Sequence, residues 1–201
     1  GLWSQRFTPT TGWARAERRV AATEGFARSR PAIAIDEQGR ATLAWARMDV
    51  DASGAWQSMQ VLRWNGQWAT TPTPVGTRQP ARSLLGMPFL ASGPTGDTAL
   101  VWSVPEARRL RIAIADRDGT WGLDSVLNEG IDGEFGGRPG VGIDTRGAVT
   151  VAWSQASPAA TIHTRRRSAN GPWVADTIVT STPTAGSVAG FDAGLAVNAS
   201  G

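Results

Sequence analysis

The sequence predicts an all-β chain assembled from repeated four-stranded antiparallel units of roughly 50 residues. Tryptophan recurs behind a turn glycine at Trp13, Trp68, Trp121 and Trp173, at spacings of 55, 53 and 52 residues. A second tryptophan, set at the end of an apolar stretch, recurs at Trp45, Trp102 and Trp153, spaced by 57 and 51. Ahead of each of these lies a short alternating stretch (residues 31–36, 88–92 and 139–144) opened by proline, which a strand accepts at its first residue and rarely inside. Two markers keeping one period indicate duplication. A four-stranded unit of this length with a Trp and Gly signature has the pattern of a β-propeller blade. Blades stack radially because a single one cannot bury both of its faces.

Residues 138–173 show the unit most completely. Val141 and Ile143 share one strand face, residues 144–147 turn, and Val149, Val151 and Trp153 share a face of the second strand. A third strand runs through residues 161–167. Asn170-Gly171 then returns the chain toward Trp173, a pair suited to a hairpin that needs two positive φ values. The same reading gives a partial blade at 1–28, whole blades at 31–77, 86–130 and 138–182, and the start of a further blade at 191–201: three whole units and one split or truncated at the termini.

In order along the chain, residues 2–7 read as a third strand, 8–12 as a turn, and Trp13 as the start of a last strand, with 21–30 linking to the next unit. The first whole unit places strands at 32–35, 41–46, 57–64 and 68–71. The second places them at 89–91, 98–103, 110–115 and 121–126. The Thr- and Pro-rich stretches 70–74 and 180–184 lack an amphipathic period and read as surface links.

Bulk properties narrow the class. At 201 residues a single all-β region is expected, and no apolar run approaches the ~18 residues of a membrane span. The pI near 11.0 suggests a nucleic-acid binder, yet the net charge is only +3. The chain has no Lys, Tyr or Cys, so almost nothing titrates between neutrality and arginine and a small Arg excess raises the pI without building a strong field. No specific nucleic-acid partner is expected. Absence of Cys excludes disulfides, Cys-based metal sites and a Cys nucleophile.

The cadence Pro-x-hydrophobic-x-hydrophobic-Asp-x-x-Gly-x-Ala-x-hydrophobic-x-Trp, followed by a strand, an Arg-aromatic pair and Gly-Trp, is carried by residues 31–45, 139–153 and 5–13. It resembles the bacterial sialidase-like, Asp-box-like β-propeller repeats of secreted and surface-anchored proteins. Residues 116–121 are similar to an Asp-box, although its internal spacing is not kept. The resemblance covers nearly the whole chain and implies an extracellular or cell-surface propeller. Sialidase chemistry would need a tyrosine nucleophile, which this chain lacks. Such folds carry many unrelated activities.

The residues therefore point to a noncatalytic scaffold or binding module. An alternative is a glycan-binding lectin in which Trp56 and Trp64 stack on sugar rings with Arg63 and Asp51 beside them. A further alternative is a piece of a glycan-processing enzyme whose catalytic groups lie elsewhere. Trp3 is a third candidate for an exposed ring. No cofactor is expected, although Asp49, Asp51 and Ser53, oxygen ligands at alternate positions followed by Gly54, resemble the first half of a calcium loop. Arg108, Arg109 and Arg111, Arg165 to Arg167, and Arg15, Arg18 and Arg19 fall on or near corresponding strands, where aligned guanidinium groups would grip acidic glycans or phosphates. The one histidine, His163, is expected to point outward from its strand. Partners implied are a glycan, another protein chain, or further blades completing the propeller.

Overall fold

A computed structural model describes residues 2–20, 26–27, 29–81, 85–129, 137–155, 161–181 and 195. The chain is all-β. Its strands in order are β1 (Leu2–Ser4), β2 (Phe7–Thr8), β3 (Gly12–Trp13), β4 (Glu17–Val20), β5 (Phe26–Ala27), β6 (Ala32–Ile35), β7 (Ala41–Asp51), β8 (Gly54–Trp64), β9 (Thr73–Pro80), β10 (Phe89–Ser92), β11 (Thr98–Val104), β12 (Arg109–Ala115), β13 (Ser125–Val126), β14 (Gly140–Ile143), β15 (Val149–Gln155), β16 (Thr161–Arg167) and β17 (Thr177–Ser181). Among the described residues, the one helical element is a single 3-10 turn, Pro105–Ala107, and no helix is long and apolar enough to cross a membrane.

The strands form antiparallel sheets that repeat the predicted meander. The second sheet runs β10-β11-β12-β13 and the third β14-β15-β16-β17. The first sheet follows the same path, with β6 on β7 and then β8 and β9, and gains β5 on the far half of β7. That addition is possible because β7 and β8 are each 11 residues long, four beyond their counterparts β11 and β12. At the N-terminus β1 pairs with β4, and β2 with β3, matching the outer half of a sheet.

Asp-x-x-Gly turns join the first two strands of the first and third sheets, and Gly93 holds the aspartate's place in the second. In the third sheet the Gly147 amide donates to the Asp144 carbonyl and the Asp144 amide to the Ala148 carbonyl, both at 3.0 Å. Gly147 adopts φ +74°, a value costly for a residue with Cβ. The Asp144 carboxylate accepts from the Arg146 and Ala148 amides at 2.9 and 2.8 Å, which is why aspartate opens the turn. Asp36 receives the Arg40 amide in the same way at 2.8 Å. Asn170-Gly171 departs from expectation, because only Asn170 takes a positive φ, of 58°.

The last strand of each unit also departs from it. The Gly-Trp tryptophan only closes the hairpin, in single bridges Trp64–Trp68, Ala115–Trp121 and Arg167–Trp173. The fourth strand proper begins four to five residues later, at Thr73, Ser125 and Thr177. Part of the stretch read as a surface link at 70–74 is thus strand, as are Thr180 and Ser181. The strand read through residues 2–7 is broken after Ser4. The predicted start of a further unit at 191–201 lies outside the described residues, apart from Leu195, which has no regular structure.

Packing explains why the two tryptophans keep one period. Trp102 and Trp121 both enter the cluster formed with Ala44, Ala46, Met59 and Val61 of the first sheet. Trp153 and Trp173 enter the next one, with Ala99, Val101, Leu110 and Ile112 of the second sheet. Trp45 and Trp68 meet Leu2 of the N-terminal strands. Each four-stranded unit therefore presents two indoles to the strands before it, and the first and second sheets present small or aliphatic residues to the sheet after them. The short first strands β6, β10 and β14 are neighbours across the sheet boundaries.

A polar link repeats with the indoles. Arg111 on β12 pairs with Asp124, three residues beyond Trp121, and Asp124 Oδ1 also accepts from the Thr77 amide and hydroxyl of the first sheet at 3.1 Å. In the third sheet His163 holds the position of Arg111, opposite the second-strand tryptophan, and pairs with Asp176, three residues beyond Trp173, at 2.6 Å. His163 is 5% exposed, so its expected outward orientation is wrong. Its ring stacks on Trp153 with centroids 5.4 Å apart, and its Nε2 lies 2.7 Å from the Thr161 hydroxyl. Alternation placed it on the Trp153 face, which the neighbouring sheet covers.

Candidate functional site

A groove of about 820 Å³ lies between the N-terminal strands and the first sheet. Phe7, Trp13, Ile33, Ile35, Trp64 and Trp68 give it apolar walls, and Arg6, Arg15, Glu17 and Gln67 stand among them. Phe7 and Trp13 meet edge to face at 5.4 Å because the β2–β3 hairpin sets them directly opposite one another. Both remain more than half exposed. Trp64, at the end of β8, is half-buried beneath the Arg6 guanidinium, which sits 4.1 Å from the ring centroid. A concave, aromatic surface with a few charged groups has the chemistry of a site for a ligand with flat apolar faces and polar edges.

The sequence-predicted site residues are divided between two places. Trp64 lines the groove. Arg63 leaves the opposite face of β8, as alternation requires, and its Nη2 donates to the Arg117 carbonyl at 3.1 Å, bridging the first and second sheets. Arg40 donates to the same carbonyl at 3.1 Å. Trp56 and Asp51 sit at the other end of the β7–β8 hairpin, eight residues along β8 and hence about 26 Å from Trp64. The structure does not bring the four residues together. Trp3 is exposed on β1 and does not line the groove.

At the hairpin tip Asp51 organises a compact polar cluster. Its Oδ1 accepts from the Ser53 amide at 2.8 Å, the Ser53 hydroxyl at 2.5 Å and the Trp56 indole N–H at 3.2 Å. Its Oδ2 pairs with Arg78 at 2.9 Å, and that guanidinium also covers the Trp56 ring at 4.3 Å. The hydrogen bonds from Ser53, aided by Trp56 and Arg78, lower the Asp51 carboxyl to about 2. Asp49 pairs with Arg47 at 2.7 Å. The oxygens of Asp49, Asp51 and Ser53 are thus engaged by protein donors. Among the described residues no group of three or more His, Asp or Glu side chains is arranged to hold a metal ion.

Among the described residues the arginine runs do not form one surface either, and the side chains of Arg18 and Arg19 lie outside the described residues. Arg108 caps the 3-10 turn in the left-handed conformation, and Arg111 is bound to Asp124. Arg166 pairs with Asp144 at 2.6 Å, and Arg167 lies 5.8 Å from the Trp173 ring. For Asp144, burial raises the carboxyl pKa, but the Ala148 and Arg146 amides and the Arg166 charge outweigh it and hold the pKa below its ordinary value. What residue-by-residue reading missed is the groove itself. Trp13, Phe7 and Ile33 come from different strands, and their one visible signal was the absence, in the N-terminal unit, of a stretch matching the inner strands.

No known family model matches this chain, and no curated protein matches it.

Proposed function

We propose that the chain is a β-propeller region acting as a noncatalytic scaffold or binding module outside the cell. The observation that carries the reading is the stacking rule: each sheet offers its two periodic indoles to the preceding sheet, and the first strands β6, β10 and β14 adjoin one another. In a propeller four-stranded sheets repeat radially about a central axis, with one edge strand of each sheet nearest that axis. The resemblance to secreted propeller repeats supports the extracellular or surface location. Because the chain has no native Cys, spin labels can be placed cleanly at the equivalent turn positions Glu37, Pro94 and Thr145. In a radial array the 37–145 distance is clearly shorter than the sum of the 37–94 and 94–145 distances. Equality with that sum refutes the propeller.

A second reading, glycan binding, is favoured by the groove, where Trp13 and Phe7 are exposed and Trp64 lies in the wall with arginines beside it. Binding on a glycan array that falls at least roughly tenfold in Trp64→Ala and is unchanged in Trp56→Ala supports the groove as the lectin site, since one buried stacking contact is worth about 1–2 kcal/mol. Absence of binding, or binding indifferent to both substitutions, removes it.

A further inference from the structure

We propose that a cleft between the second and third sheets is a second sugar site, the repeat's own counterpart of the groove, and that it takes a neutral pyranose ring. The inference rests on the glycan-binding reading and adds a site, with its ligand class, that this reading does not contain. The cleft encloses about 340 Å³, within the range of small-molecule pockets.

The hairpin bridges set the register. Phe7 pairs with Trp13, Trp64 with Trp68, Ala115 with Trp121 and Arg167 with Trp173, so Phe7, Trp64, Ala115 and Arg167 hold one position of the repeat. The residues just before the first three, Arg6, Arg63 and Ile114, are equivalent in turn, and each is directed at the sheet that follows its own. By this register the groove's Arg6, Trp13, Arg15 and Trp64 correspond to the cleft's Ile114, Trp121, Leu123 and Arg167. The seam between the first and second sheets has the same place, but closed. There the Arg63 guanidinium donates to the Arg117 carbonyl at 3.1 Å and lies where a side chain on Gly119 would begin. Ile114 has neither the reach nor the charge to do this, and the cleft is the space left over.

The lining selects the ligand class. Buried Ile112 and half-buried Ile114 make an aliphatic floor, with exposed Leu123 at its edge. Charges of both signs stand around it: Arg167 from the third sheet, Asp97 and Asp116 from the second. Arg167 lies 5.8 Å from the Trp173 ring and has no hydrogen bond or ion pair among the described residues. Asp97 Oδ2 accepts from the Thr95 hydroxyl at 2.5 Å, and Asp116 Oδ1 from the Asp118 and Thr120 amides at 3.0 and 2.9 Å. One oxygen of each carboxylate is left to accept. A simple anion here would meet two carboxylates, and a simple cation would meet the guanidinium. A sugar hydroxyl donates to a carboxylate and accepts from a guanidinium at once, while the C–H face of the ring covers the aliphatic floor.

Amide spectra of the isotopically labelled chain, titrated with the methyl glycosides of galactose, glucose, mannose, fucose and N-acetylglucosamine, test the assignment and show whether each variant is folded. At least one glycoside is expected to shift the amides of Gly122, Leu123 and Asn170. Ile114→Arg restores to this seam the guanidinium that Arg63 supplies to the one before, and Gly171 stands at the place of Gly119 to admit it. That variant and Arg167→Ala are each expected to weaken the response at least roughly tenfold, and Trp64→Ala to leave it unchanged. Cleft shifts that survive both Ile114→Arg and Arg167→Ala overturn the proposal. A response confined to the amides of Trp13 and Gly66 overturns it too, while leaving sugar binding in the groove intact; no response at either place removes both. Shifts of the cleft amides by sodium acetate or ethylguanidinium chloride, with none from any glycoside, overturn the ligand class.

Discussion

Replacing Trp102 with alanine tests the stacking most directly. Trp102 is 1% exposed and sits in the seam against Ala44, Ala46, Met59 and Val61, so its removal empties the contact between two sheets rather than the interior of one. An indole carries roughly 150–250 Å² of surface, and at about 25 cal/mol/Å² its burial contributes on the order of 4–6 kcal/mol as an upper bound. Measured Trp→Ala costs in cores are about 3–5 kcal/mol. For a chain of this size that corresponds to a fall in Tm of about 6–20 °C. Equilibrium urea unfolding of Trp102→Ala and of the control Trp3→Ala, whose side chain is 62% exposed, measures the difference. The control is expected to move by less than about 0.5 kcal/mol. A cost below about 1 kcal/mol for Trp102→Ala refutes the claim that the periodic indoles hold the sheets together.

Other outcomes follow from the same geometry. Gly76 has φ +74°, and a Cβ there would lie 2.6 Å from the Trp102 ring, so Gly76→Ala is expected to cost about 2–3 kcal/mol by chemical denaturation. His163→Ala strands the partly buried Asp176 carboxylate and is expected to cost about 2–3 kcal/mol; the double substitution His163→Ala/Asp176→Ala should recover at least about 1 kcal/mol of it. A cost under about 0.5 kcal/mol for the single change would return His163 to a bland surface role. Asp144→Ala removes the acceptor of two backbone amides and Arg166 and is expected to cost about 2–4 kcal/mol. Because the folded Asp144 carboxyl titrates below its ordinary 3.8, its contribution is complete above that value and is lost as pH falls through the lower folded pKa. The gap in Tm between wild type and Asp144→Ala should therefore narrow on acidification below about pH 4 and stay flat near neutrality.

Much of the repeat was legible residue by residue. Alternation and the two tryptophan markers located the first three strands of each whole unit to within a few residues, since side chains at those strands must choose a face. The fourth strand was misplaced in the first unit, read at 68–71 and found at Thr73–Pro80, and in the second unit the reading at 121–126 contains Ser125–Val126 but starts too early. These stretches are rich in Thr, Ser and exposed positions, and the preceding Gly-Trp offered a stronger signal that proved to be a hairpin foot. His163 was misplaced because polarity was weighed above register. It follows Trp153 into the seam, where Asp176 and Thr161 satisfy both ring nitrogens. Trp56 and Trp64 look alike in sequence, yet each is capped by an arginine from a distant segment, Arg78 in one case and Arg6 in the other.

The sequence by itself determined the strands, their period, and which residues of each unit are apolar, because those depend on local alternation and on turns that need Asp and Gly at fixed offsets. Only the tertiary structure decided which of those apolar faces is covered. Ile33 and Val141 occupy the same place in their repeats, but whether such a residue is core or open surface depends on the strands that lie in front of its sheet, and pattern within a unit carries no information about its neighbour.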